Sequence, residues 1–351
     1  MRRSASLQRL LVLGLSGPIG ALNLWLLYLG FHYFERAITV LAIAAILSFL
    51  LNYPVRLFER SRVARNRAVF IVLLVTLTLF ILVGVTLVPL VIDQTIQFSN
   101  KIPALLDTSQ KNLQQFDSWA RNRHLPLAIT SLSGEINTRI AALLQPVADQ
   151  AVGFALGTLN GLLDLVLVIV LAFYMLLYGA SLWQGMINLL PTYIGIPFNA
   201  SLQLNFQNFF ISQLLLGLFM AVTLTPIFLF LKVGFPLLFA LIIGLGELIP
   251  FIGATLGIGI VTLLVLLQNG PLALIVAIIA IIAQQIKDNL IAPRLMSNFI
   301  GLNPIWIFIA LLMGAQIAGF LGIVVAVPVA GTIKGTIEAI RSGQELKNRV
   351  N

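Results

Sequence analysis

The chain has 351 residues, of which 59% are hydrophobic and only 9% charged, against roughly 25% charged in soluble domains. Composition of this kind excludes a soluble globular protein, and apolar runs that are continuous rather than alternating exclude an outer-membrane barrel, which leaves a helical membrane protein. The lack of cysteine excludes disulfides and thiolate sites, and the net charge of +9 sits mostly at helix ends and loops, where it sets orientation and meets anionic membrane lipid rather than nucleic acid.

Arg2, Arg3 and Arg9 precede a first predicted span over about 10–33, too long for a signal-peptide core. A second span over about 37–51 is expected to stop before Asn52-Tyr53-Pro54. Arg56, Arg60, Arg62, Arg65 and Arg67 follow, opposed only by Glu59, so the positive-inside rule places this loop in the cytoplasm. A third span over about 68–92 leads outward.

Residues 93–150 form the one soluble-looking stretch, with five acids against five bases. Leu105, Leu106, Leu113 and Phe116, and later Ile136, Ile140, Leu143 and Leu144, recur at helical spacing. This predicts a small extracytoplasmic helical insert, either capping a pathway and meeting neighbouring subunits or serving as a solvated connector. A fourth span over about 151–178 carries Asp164, an intramembrane carboxylate that faces either a bundle interior or the outer interface. Residues 178–207 read as a connector and an interfacial helix. A fifth span over about 209–231 contains Pro226, which is expected to kink it.

The most informative stretch is 233–336. Its apolar run is cut at Gly246-Glu247-Leu248-Ile249-Pro250-Phe251-Ile252-Gly253. Neither side reaches comfortably the roughly 20 residues that cross a bilayer, and unwound backbone at that depth belongs inside protein or beside water. Such a break points to a transport site; the bland alternative is a kink tuned for packing. A second break falls at Gly319-Phe320-Leu321-Gly322, after Gly301-Leu302-Asn303-Pro304. From Pro236 to Gly253 is 17 positions and from Pro304 to Gly322 is 18, a weak internal repeat of two helical hairpins. Between them lie a predicted helix over 272–286 and the polar run Gln284-Gln285-Ile286-Lys287-Asp288-Asn289, closed by Pro293-Arg294.

Gln284 and Asp288 share one helical face and Gln285 and Asn289 the next, so amides and a carboxylate project together toward a polar solute or ion. Glu247, at a hairpin tip, is the first candidate for ion or proton coupling, with Asp164 a second; Gln316 holds a similar place before the second break as a neutral amide. Lys287 and Arg294 taken alone read better as a helix-end cap and orientation marker. No enzyme, cofactor or metal is expected. The histidines, His32 and His124, have no zinc spacing, and no GxSxG or phosphate-binding loop occurs.

The fold class expected is therefore all-α and polytopic, with about six spanning helices, two re-entrant or broken-helix hairpins and a small external helical region. Its parts are N-terminal spans (1–92), the insert (93–150), a transport core (151–336) and a cytoplasmic tail (337–351).

The stretches AIAAILSFLLNYPVR (42–56), ELIPFIG (247–253), QQIKDNLIAPR (284–294), GLNP (301–304) and GFLGIVVAVP (319–328) resemble the autoinducer-2 exporter family of PerM-like bacterial permeases. The family's Pro-apolar-Gly step is matched by Pro250 to Gly253, and its Pro-Arg helix end by Pro293 and Arg294. The resemblance implies a multi-pass inner-membrane protein that moves a small solute and forms a homo-oligomer, a pentamer being one such assembly. Family members are linked to export of autoinducer-2 or to cation/proton antiport. The leading reading is a secondary transporter or facilitator of a small polar solute. The alternatives are a cation/proton antiporter using Glu247 and Asp164, and a membrane scaffold without transport.

Overall fold

A computed structural model describes residues 18–23, 25–26, 29–122, 142, 153, 158–295 and 302–350. The second amphipathic pattern of the insert, Ile136 to Leu144, and His124 lie outside the described residues. Every described element is helical. In chain order they are α1 (Glu35–Arg60), α2 (Arg65–Asn122), α3 (Thr158–Ile187), α4 (Thr192–Phe230), α5 (Pro236–Gly246), α6 (Gly253–Leu266), α7 (Gly270–Ile286), a π-helical turn (Lys287–Ile291), α8 (Ala292–Leu295) and α9 (Pro304–Val350). Six of these stretches are long and apolar enough to cross a membrane, while α5 and α6 are shorter. The protein is an all-α, multi-pass membrane protein.

Three sequence expectations need correction. α1 does not stop before Pro54 but runs through it to Arg60. Proline removes one hydrogen bond, yet Val55 beyond it is fully buried with Ala68, Val69, Val72 and Leu176, and that packing holds the last turns. Residues 178–207 hold only a short connector, and their helix is not separate: α3 continues to Ile187, a turn follows, and α4 then runs unbroken for 39 residues with Pro197 and Pro226 inside it. α2 likewise passes residue 92 without a break. There Phe98 packs edge-on against Phe235 and Phe239, and Gln94 Oε1 accepts a hydrogen bond from the Leu238 N–H (3.0 Å). The first residues of the insert thus lie over the base of α5.

α1 and α3 run parallel. Arg36 pairs with Asp164 at one end (2.8 Å), Val40 and Ala44 bury against Val168 and Ala172, and at the far end Arg65 donates to Glu59 and to the Leu176 carbonyl (3.1 Å each). With the arginine loop taken as cytoplasmic, Asp164 sits at the outer interface, roughly 36 Å away along α1 at 1.5 Å per residue.

Both hairpins are present. α5 tightens as it ends: the N–H groups of Glu247, Leu248 and Ile249 donate to carbonyls three residues back (3.2, 3.1 and 2.9 Å), the pattern of a closing 3₁₀ turn. Phe251 then adopts a positive φ of 66°, and α6 returns beside α5. Gly246 and Gly253 let the arms touch, since a Cβ on Gly246 would come 2.6 Å from the Gly253 carbonyl oxygen. α9 repeats the device. Its helix is broken at Ala318 (φ −141°, ψ 28°) and Gly319 (φ 54°, ψ −133°), and Gly314 and Gly322 meet backbone to backbone across the turn. The arms are residues 304–317 and 320–350.

α4 is the spine that both hairpins lean on. Its buried face steps by four through Gly217, Gln213, Phe209, Asn205 and Ser201. Gly217 abuts Gly244 of the first hairpin. Phe209 and Phe210 pack against Ile307, Leu311, Val324 and Val327 of the second, and Asn205 meets Gly331. Ile252, from the first tip, packs on the same cluster, so the first tip and the second hairpin converge on Phe209 and Phe210 at the middle of α4.

Candidate ion-pair site between the hairpins

α7 starts with a built cap. Asn269 Oδ1 accepts from the Leu272 N–H (3.0 Å), and Pro271 occupies the first turn. Its buried stripe runs Ala273, Val276, Ala280 and Ala283, and the next position on that stripe is Lys287. The small alanines leave room for a long side chain to lie along the helix, and at Lys287 the chain widens into the π-helical turn, a distortion that often marks a functional position.

The Lys287 ammonium ends against Glu247 at the tip of the first hairpin. Nζ donates to both Oε1 and Oε2 at 2.7 Å. Lys287 is 3% exposed and Glu247 5%. Asp288 Oδ1 lies 3.0 Å from the same nitrogen but faces outward. The third member is Gln213 on α4, whose Nε2 donates to the Glu247 carbonyl oxygen at 2.6 Å. The tip is therefore tied twice, by its side chain to α7 and by its backbone to α4. Removing two charges from water is costly, and here the cost is met by close two-oxygen contact. The Glu247–Lys287 pair is neutral, Asp288 gives the ammonium a second carboxylate, and the two can separate only if something else satisfies Glu247.

The structure brings some of the sequence candidates together and leaves others apart. Glu247, Pro250 and Gly253 form the buried side of the first tip. Asp288 joins the pair from outside. Gln285 and Asn289 bond to each other on an exposed face (Asn289 Nδ2 to Gln285 Oε1, 3.1 Å). Gln284 is half-buried, and its Oε1 has no hydrogen-bond partner. At the second tip Gly319 and Gln316 are exposed while Gly322 is buried against Gly314. Pro236 and Pro304 each open a helix, α5 and α9, and Pro293 and Arg294 form the exposed side of α8. Asp164 is remote, paired with Arg36 beside a cavity of about 620 Å³.

Sequence reasoning offered Lys287 as a partner of Asp288, a contact the structure shows (3.0 Å), but missed it as the partner of Glu247 and did not single out Gln213. The signal for Lys287 was present: it continues the buried alanine stripe of α7 instead of sitting on the polar face with its neighbours. Gln213 carried no such signal, because one amide in a long apolar helix is compatible with any orientation.

The model of the AI-2E transporter family matches residues 22–342. A Synechocystis protein named "Putative transport protein sll0063" is 42% identical over 97% of this chain and 87% of its own length. "Putative permease PerM" of Escherichia coli K12 is 26% identical over 94% of this chain and 95% of its own. A Halobacillus andaensis protein named "Sodium-lithium/proton antiporter" is 24% identical over 86% of this chain and 90% of its own length. The chain belongs to the AI-2E transporter family.

Proposed function

Starting from that membership, we propose that the chain is a secondary transporter or facilitator moving a small polar solute across the bacterial inner membrane as a homo-oligomer. An autoinducer-2-like signalling molecule is one solute of that class. The reading rests on one observation: a buried Glu247–Lys287 pair at the tip of a helix hairpin too short to span the bilayer. A hydroxyl-bearing solute can replace each member's partner, accepting from the ammonium and donating to the carboxylate. Exchange of this kind frees the first tip from α7 and opens the space between the hairpins.

A second reading is cation/proton antiport. It draws on Glu247, the one acid among the buried polar residues described, and on the relative named as an antiporter. In that case proton and cation would alternate on Glu247. Purified protein in proteoliposomes separates the two. Radiolabelled polyols and sodium are loaded, and efflux is followed with and without an imposed pH gradient. Under the leading reading polyol efflux is lost in Glu247→Gln and in Lys287→Met. Cation flux driven by the pH gradient selects the antiporter. Unaltered polyol efflux in both variants removes the role assigned to the pair, and absence of any flux leaves a membrane scaffold.

A further inference from the structure

Beyond Phe209, which follows Gln213 on the stripe, the buried face of α4 is polar again. Asn205 and Ser201 lie two and three steps of four from Gln213 toward Thr192, roughly 18 Å along the helix in the cytoplasmic direction at 1.5 Å per residue. Opposite Asn205 lies Gly331 on the second arm of α9, and Thr332 and Thr336 on the same arm are buried. Asn205 is 1% exposed and Thr332 2%. Asn205 Nδ2 donates to the Ser201 carbonyl oxygen (2.7 Å), but its Oδ1 has no hydrogen-bond partner. That oxygen faces Gly331, where any Cβ would come within 2.6 Å of it. The Thr332 and Thr336 hydroxyls spend their protons on the carbonyls four residues back (2.7 Å each), and their oxygens remain acceptors.

Two membrane helices that only need to pack do so through small or apolar residues, and an unpaired buried amide oxygen is a cost to such a seam. The same oxygen is an asset where water or solute enters. The seam starts past Phe209, one step of four from Gln213, which holds the first tip, and follows the arm whose own tip bends at Gly319.

We infer that the seam between α4 and the second arm of α9 is the inward half of the transport path, wetted when the second hairpin parts from α4. Ser201, Asn205, Thr332 and Thr336 line it, and it takes an uncharged, hydroxyl-bearing solute. The solute class follows from the lining: these groups offer acceptors and a donor amide but no countercharge for an ion. This inference rests on the transport reading above.

The absence of native cysteine allows a direct test. Ser201→Cys, Thr332→Cys and Thr336→Cys are each placed singly in inside-out membrane vesicles, with Leu204→Cys, on the exposed apolar side of α4 next to Asn205, as control. A charged, membrane-impermeant methanethiosulfonate is added, with or without xylitol or sodium chloride. The three seam positions label and the control does not; xylitol slows the labelling and sodium does not. Labelling reads water entry without needing flux. A dry seam in protein that carries out polyol efflux overturns this inference and leaves the transport reading standing. A wet seam in protein with no flux supports the inferred water entry and counts against transport. Protection by sodium but not by xylitol overturns the solute class.

Discussion

A lysine ammonium held by a carboxylate inside an apolar layer is stable only while both partners remain. Lys287→Met leaves the Glu247 carboxylate buried with no cation, and breaking a buried pair from one side costs about 3–5 kcal/mol. The double variant Glu247→Gln/Lys287→Met removes both charges and is expected to recover most of that loss. Thermal unfolding in detergent reads it: the single variant melts well below the parent and the double variant close to it. If the double variant is as unstable as the single, the pair is not what ties the tip.

The tip glycines make a second residue-scale case, since they are needed for different reasons. Gly253 and Gly322 lie backbone to backbone with Gly246 and Gly314, so Gly253→Ala must push two helices apart, an overpacking that costs about 1–3 kcal/mol. Gly319 has open space around a built Cβ but sits at φ 54°, ψ −133°, so Gly319→Ala pays only the backbone strain of about 1–3 kcal/mol. Both lower the melting temperature. Only Gly253→Ala is expected to loosen the arms as well, seen as faster amide exchange along α5 and α6. Equal exchange in both variants would contradict the steric account.

Among the elements, α4 is used on one side along most of its length. Its polar residues Gln213, Asn205 and Ser201 fall on the buried stripe, the reverse of an amphipathic surface helix, because in a membrane the outer face must be apolar. α5 depends instead on α2 at its start. The Leu238 N–H is one of the donors that a helix start leaves without a partner, and Gln94 satisfies it. Gln94→Leu is expected to cost about 1 kcal/mol, the net worth of a typical hydrogen bond. Hydrogen exchange should rise locally at 236–240 while α7 stays protected; an unchanged α5 would mean that water replaces the glutamine.

For the whole molecule, taking the arginine loop as cytoplasmic sets the expected sense of every later crossing. α4 then runs outward, the first hairpin enters from the outer face, α7 returns inward, and the second hairpin enters from the cytoplasm. With that sense the two hairpins enter from opposite sides and converge on the cluster around Phe209 and Phe210, where Ile252 packs. Single cysteines at exposed Asn188 and Asn303 are therefore expected to react with an impermeant reagent in inside-out vesicles, and one at exposed Lys232 in right-side-out vesicles. Labelling of Lys232→Cys and Asn303→Cys from the same side would overturn the opposed arrangement.

Much of this architecture was determined by the sequence alone. Membrane residence, the helical class and both hairpin breaks follow from hydropathy and from glycine and proline, whose effects are confined to a few neighbouring bonds. The same local signals misplaced the end of α1, because Pro54 is overruled by packing of Val55 with residues as far along the chain as Leu176, and the start of α4, whose first turns are held by the end of α3 through Trp183 and Asn199. The pairing of Glu247 with Lys287, 40 residues on, and with Gln213, 34 residues back, was decided only by the tertiary structure. A charge or amide in an apolar run must find a partner, but which partner depends on how helices lie together, and that is a property of the packed bundle.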